Sequence, residues 1–113
     1  MNKYMILYMA PMTSEDQMQT AGREEGQKIM QLWIDWYTRQ GAAIVDPGVP
    51  LASGMNYTTT TSAKAQAPHV SGYSIVQAAN VDGVHKMISD HPHLMMPDAS
   101  IQVLEMLPMP TSM

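Results

Sequence analysis

Apolar positions open the chain without a break. Lys3 is followed by Tyr4, Met5, Ile6, Leu7, Tyr8, Met9 and Ala10, and Pro11 closes the run. Successive strand residues point to opposite faces, so Tyr4, Ile6 and Tyr8 share one face and Met5, Leu7 and Met9 the other. Both faces are apolar, which predicts a central strand in a sheet covered on both sides. Residues 13–20 are polar, Gly22 follows, and the stretch reads as a loop leading into a helix. From about residue 23 to 40 the period becomes helical. Ile29, Met30, Trp33, Trp36 and Tyr37 gather on one side with Leu32 at its margin, opposite Glu24, Lys28, Gln31, Asp35, Thr38 and Arg39. Two ordered i,i+4 pairs, Glu24–Lys28 and Asp35–Arg39, support the helix, and Gly41 supplies its stop.

Further along, residues 42–45 read as a strand entering the Asp46-Pro47-Gly48 turn, and residues 49–51 continue extended. The Ser-, Thr-, Ala- and Gln-rich stretch at 52–68 predicts loop with an edge strand or hairpin inside it, since threonine favours extended backbone. A second strong strand is expected over 70–79 on the anchors Tyr73, Ile75 and Val76. Asn80 then caps a helix over about 81–90, with Val84, Met87 and Ile88 inward, and Pro92 ends it. Residues 100–107 read as the last strand. Met5, Met9, Met30 and Met87 are expected in the core, and Met95, Met96, Met106 and Met109 near the last strand, where subunits would meet.

The order β-α-β-(β)-α-β predicts an α+β fold, a ferredoxin-like βαββαβ sandwich with two helices on one face of an antiparallel sheet. Two helices cover only one face, yet the first strand offers apolar side chains to both. A second copy of the chain is the expected cover, giving a homodimer joined sheet to sheet.

Length and charge narrow the picture. With 113 residues the chain is expected to form a single domain, 1–113. Lys plus Arg is 6 and Asp plus Glu is 10, a formal charge of −4, which argues against a nucleic-acid partner and against binding to anionic lipid. There is no cysteine, so disulfides, thiolate chemistry and cysteine-held metals drop out together. The apolar run at 4–10 is far shorter than the about 20 residues of a membrane span, and no small-x-small cleavage site follows it. The expectation is a soluble, cytoplasmic protein.

Several segments together resemble the YCII-related (DGPF-type) domain family. They are Lys3-Tyr4-Met5-Ile6-Leu7-Tyr8, Trp33-x-x-Trp36 with Gly41, Val45-Asp46-Pro47-Gly48-x-Pro50-Leu51, Gly72-Tyr73-Ser74-Ile75-Val76-x-Ala78, Pro92-His93-Leu94 and Ile101-x-Val103-x-Glu105. The resemblance spans almost the whole chain and implies a dimeric α+β barrel built from ferredoxin-like subunits. Most members have no assigned activity; a minority look like small-molecule lyases or dehydrochlorinases, or accompany sigma-factor regulatory systems. In one branch a first-helix histidine faces an aspartate in an Asp-Pro pair. Here the first helix has no histidine and His91 precedes Pro92, so that dyad does not carry over.

The candidate chemistry centres on Asp90-His91-Pro92-His93. Histidine is the side chain suited to proton transfer near neutrality, and His93 with Asp46 would form an acid–base pair if folding joined them. The plainer alternative has His91 capping the second helix, His93 bonded to nearby backbone, and Asp46 holding an Asx turn. A metal site would need a third ligand from His69, Asp46 or Asp98; we assign no metal and no cofactor. Trp36, Tyr73, Tyr8 and His91 are the expected ligand pocket, for a small aromatic or carbonyl-containing molecule, against the simpler reading of aromatic core. Phosphate loops, nucleophile elbows, His-Glu-x-x-His and dinucleotide fingerprints are absent. Two functions therefore stand: a small-molecule-binding protein with cofactor-independent, lyase-like acid–base chemistry, or a non-catalytic regulatory or interaction module.

Overall fold

The computed structural model describes residues 1–109. The chain is an α+β fold whose main sheet has four strands in the order β2-β5-β1-β6, every neighbouring pair antiparallel. These strands are β1 (Asn2–Ala10), β2 (Ile44–Asp46), β5 (His69–Ala78) and β6 (Ser100–Met106). A separate two-stranded sheet pairs β3 (Met55–Tyr57) with β4 (Ser62–Lys64). The helices are α1 (Ser14–Thr20), α2 (Arg23–Gln40) and α3 (Val81–Ile88).

The apolar opening run forms the central strand β1, flanked by β5 and β6. Its Tyr4, Ile6 and Tyr8 face the helices and are buried together with Trp36, Val76, Ala78 and Val84. Trp33, Tyr37, Ile44, Met87, Ile88, Ile101 and Val103 close around them. The other face carries Met5 and Leu7, set between Ile75 and Tyr73 of β5 and Leu104 and Gln102 of β6. Met5, Leu7, Tyr73 and Ile75 are only half-buried there and Leu104 is exposed.

Helix α2 begins and ends where the periodicity predicts, with Gly41 at φ 57° as its stop. Its apolar stripe is less deeply used than expected. Trp36 is fully buried and Trp33 and Tyr37 half-buried, whereas Ile29 and Met30 are exposed. Periodicity sets the side of a helix on which a residue lies; it does not set how far the sheet beneath it extends. Of the four methionines expected in the core, Met9 is buried, Met5 and Met87 are half-buried, and Met30 lies outside.

Residues 13–20 are not a plain loop. Thr13 accepts a hydrogen bond from the Asp16 amide, Glu15 and Asp16 occupy the first turn, and helix α1 forms. The threonine-rich stretch does contain a hairpin, closed at its turn by Thr58 and Thr61, and every residue of β3 and β4 is exposed. Asn80 caps α3 through its side chain, accepting from the Gly83 amide. Pro92 then starts a single 3-10 turn, Pro92–Met95. Among the described residues no helix is long and apolar enough to cross a membrane.

Candidate functional site

His91 and His93 come together between α2 and the end of β1, 1% and 4% exposed. The turn after α3 places them: Pro92 holds the start of the 3-10 turn, and the His91 ring caps it. His91 Nδ1 accepts from the His93 amide at 3.0 Å. With Nδ1 accepting, the neutral ring carries its proton on Nε2, and that atom is buried without a hydrogen-bond partner. The ring is caged by aromatics instead, its centroid 4.3 Å from Trp36, 4.6 Å from Trp33 and 4.9 Å from Tyr8. The Trp33 ring stands nearly perpendicular to it, at 84°. Desolvation, with a smaller repulsion from His93, pushes the His91 pKa down to about 3.

His93 is also fixed. Its Nε2 lies 2.9 Å from the Met9 carbonyl oxygen, which only accepts, so Nε2 donates. Burial lowers the pKa of this ring, against an opposing pull from the Met9 and Ser100 backbone. His93 thereby ties the turn to β1 at the Met9–Ser100 pair, the last pair of the β1–β6 ladder. Burial thus lowers the pKa of both imidazoles, and one ring nitrogen of each is held by a backbone hydrogen bond.

Beside them runs a chain of hydroxyls. Ser74 Oγ donates to the Pro47 carbonyl at 2.8 Å and lies 2.8 Å from the Tyr8 hydroxyl, which therefore donates to it. Tyr37 donates to the same carbonyl at 2.9 Å. Burial raises the Tyr8 pKa and keeps the phenol protonated. Trp36 Nε1–H donates to the Met87 carbonyl at 2.8 Å, joining α2 to α3.

The structure does not bring Asp46 to His93. Tyr73 and Ser74 are adjacent in β5 and point to opposite faces. Ser74 meets Tyr8, against which His93 packs, on the helix side. Asp46 Oδ2 meets the Tyr73 hydroxyl at 3.4 Å instead, and its Oδ1 accepts from the Gly48 amide at 2.9 Å, closing an Asx turn. Gly48 at φ 77° is required there, since a Cβ would stand 1.7 Å from the Tyr73 carbonyl oxygen. Of the four expected pocket residues, Tyr8, Trp36 and His91 do meet, but as closely packed side chains. Tyr73 lies apart from them.

Among the described residues no group of three His, Asp or Glu side chains is placed to hold a metal. Open space lies elsewhere, in two adjoining grooves between α1 and the base of the β3–β4 hairpin. One, of about 290 Å³, is lined by Leu51, Ala52, Pro68 and Val70; the other, of about 390 Å³, by Glu15, Asp16 and Lys64; Thr13 and His69 belong to both. Pattern reading misses the roles of Tyr37 and Ser74. The signal for Ser74 is the alternation that sets it with Gly72, Val76 and Ala78 on the helix face.

No protein-family model matches the chain, and no curated protein matches it at a significant level.

Proposed function

We propose that this chain is a ferredoxin-like domain of the YCII-related, dimeric α+β-barrel kind, working as a self-associating interaction module and not as a His93–Asp46 acid–base enzyme. The observation that carries this reading is the uncovered sheet face. Met5, Leu7, Ile75, Leu104 and Met106 line it opposite the helices, and none of them belongs to the packed core. The strand order β2-β5-β1-β6, with α2 and α3 between successive strands, supports the ferredoxin-like assignment. The surface area supports the partner. The chain exposes 7981 Å², against about 6,200 Å² for a compact monomer of its mass. Part of that excess of roughly 1,800 Å² belongs to the β3–β4 hairpin, whose residues are all exposed, and part to the sheet face. Its radius of gyration, 15.7 Å, likewise exceeds the about 13 Å of a compact chain of this length. A second copy laid face to face on the sheet removes the exposed apolar layer with one isologous contact.

Light scattering at tens of micromolar tests the reading. The expected molar mass is at least two chains of 12.5 kDa each; a single-chain mass overturns it. A second reading, small-molecule binding, has the open grooves beside His69 as its site. A thermal-shift screen of aromatic acids, amines and carbonyl compounds on wild type and His69→Ala tests it. Stabilisation lost in the variant supports it; no stabilisation by any compound removes it.

A further inference from the structure

The two edges of the main sheet are built differently. At one edge β2 has three residues, its register against β5 shifts between Ile44 and Asp46, and Pro47 and Pro50 follow. Short length, a bulge, a charge and prolines are the devices that stop an edge strand from recruiting another strand. The opposite edge has no bulge and no proline within it and is more than twice as long. Strand β6 runs for seven residues, pairs with β1 from Met9–Ser100 to Lys3–Met106 without a register shift, and carries one charged residue, Glu105. Among the described residues nothing hydrogen-bonds to its outer side. Leu104 and Met106 are exposed on it, and Leu107 and Met109 continue the apolar surface beyond it.

An unprotected, regular, apolar edge is a template for strand addition. We infer that β6 pairs antiparallel with β6 of a second copy, joining two four-stranded sheets into one eight-stranded sheet. The strand is self-complementary for this purpose. With the two-fold axis at Val103, Ser100 stands opposite Met106, Ile101 opposite Glu105, and Gln102 opposite Leu104. All seven residues are paired and Glu105 never meets its own copy, so no like charges oppose one another. Edge pairing does not depend on the face-to-face contact; where both form, the smallest closed assembly has four chains.

Amide hydrogen exchange on the wild-type protein tests the pairing directly. In an edge strand, alternate amides point outward and exchange fast. Paired on both sides, all amides from Ile101 to Met106 are expected to be slow at high protein concentration, with the outward-pointing half speeding up at least tenfold on dilution. Outward amides that exchange fast at every concentration overturn the inference, including the case in which the edge serves a different protein. Sedimentation of Leu7→Glu separates the two contacts, because that charge lies on the sheet face and away from the β6 edge. A two-chain species is expected for this variant. A folded one-chain species, beside a wild type of two chains, leaves the face contact standing and removes the edge contact.

Discussion

Acidification from pH 7 to pH 5 gives a worked test of the histidine cluster. Unfolded His91 titrates near 6.5, whereas its folded pKa lies near 3. A depressed folded pKa means that only the unfolded chain takes up the proton between these values. The stability from a neutral, buried His91 is thus fully present above about pH 6.5 and is lost as pH falls toward about 3. Each pH unit inside that window costs about 1.4 kcal/mol, so pH 5 costs roughly 2 kcal/mol from His91 alone. His93, lowered by the same burial, adds loss of the same sign. Against a total of about 5–15 kcal/mol for an ordinary domain this is large. Urea unfolding followed by tryptophan fluorescence reads it, because both tryptophans of the chain touch the His91 ring. His91→Asn keeps a side-chain acceptor for the His93 amide and removes the titration. It is expected to be less stable than wild type at pH 7 but to lose less on acidification. Equal urea midpoints at pH 7 and pH 5, or an unchanged pH slope in His91→Asn, refute the reasoning.

Other substitutions separate structural groups from bystanders. Gly48→Ala sets a methyl against the Tyr73 carbonyl at positive φ and should cost on the order of 3 kcal/mol or more in chemical denaturation. Ser74→Ala strips the buried Tyr8 hydroxyl of its partner and should cost about 1–3 kcal/mol, most of it recovered when Tyr8→Phe is added. Trp36→Phe loses the hydrogen bond to Met87 together with ring volume, and a thermal melt should show a loss of similar size. Arg39→Ala breaks only an exposed 3.2 Å pair with Asp90 and should shift stability by less than about 0.5 kcal/mol.

Much of the fold is legible because local signals dictate it. An unbroken apolar run makes β1 central, the indole spacing and Gly41 frame α2, and Asn80 starts α3. Helix α1 has only seven residues and no apolar stripe, so composition hides it; the one clue is the cap at Thr13 with two acids behind it. The exposure of Ile29 and Met30 depends on where the sheet stops, which no periodicity records. The site shows the same division. That His91 and His93 lie together follows from their spacing. Whether Asp46 joins them depends on which face of β5 each approaches, a consequence of register. The plainer readings, a cap for His91 and an Asx turn for Asp46, match the geometry because short-range hydrogen bonds form whatever the rest of the chain does. His91 caps the 3-10 turn at Pro92, however, and not the preceding helix.

Oxidative footprinting of the methionines by hydroxyl radicals, read by mass spectrometry, bears most directly on the sheet-face claim. Met5 and Met106 lie on that face, while Met18 and Met30, at 64% and 59% exposure, lie off it. If a second copy covers the face, Met106 should react far more slowly than its 41% exposure in the single chain implies, and Met5 hardly at all. In the Leu7→Glu variant both should speed up while Met18 and Met30 stay unchanged. A wild-type Met106 that oxidises nearly as fast as Met30, with Met5 equally reactive before and after the substitution, would contradict it.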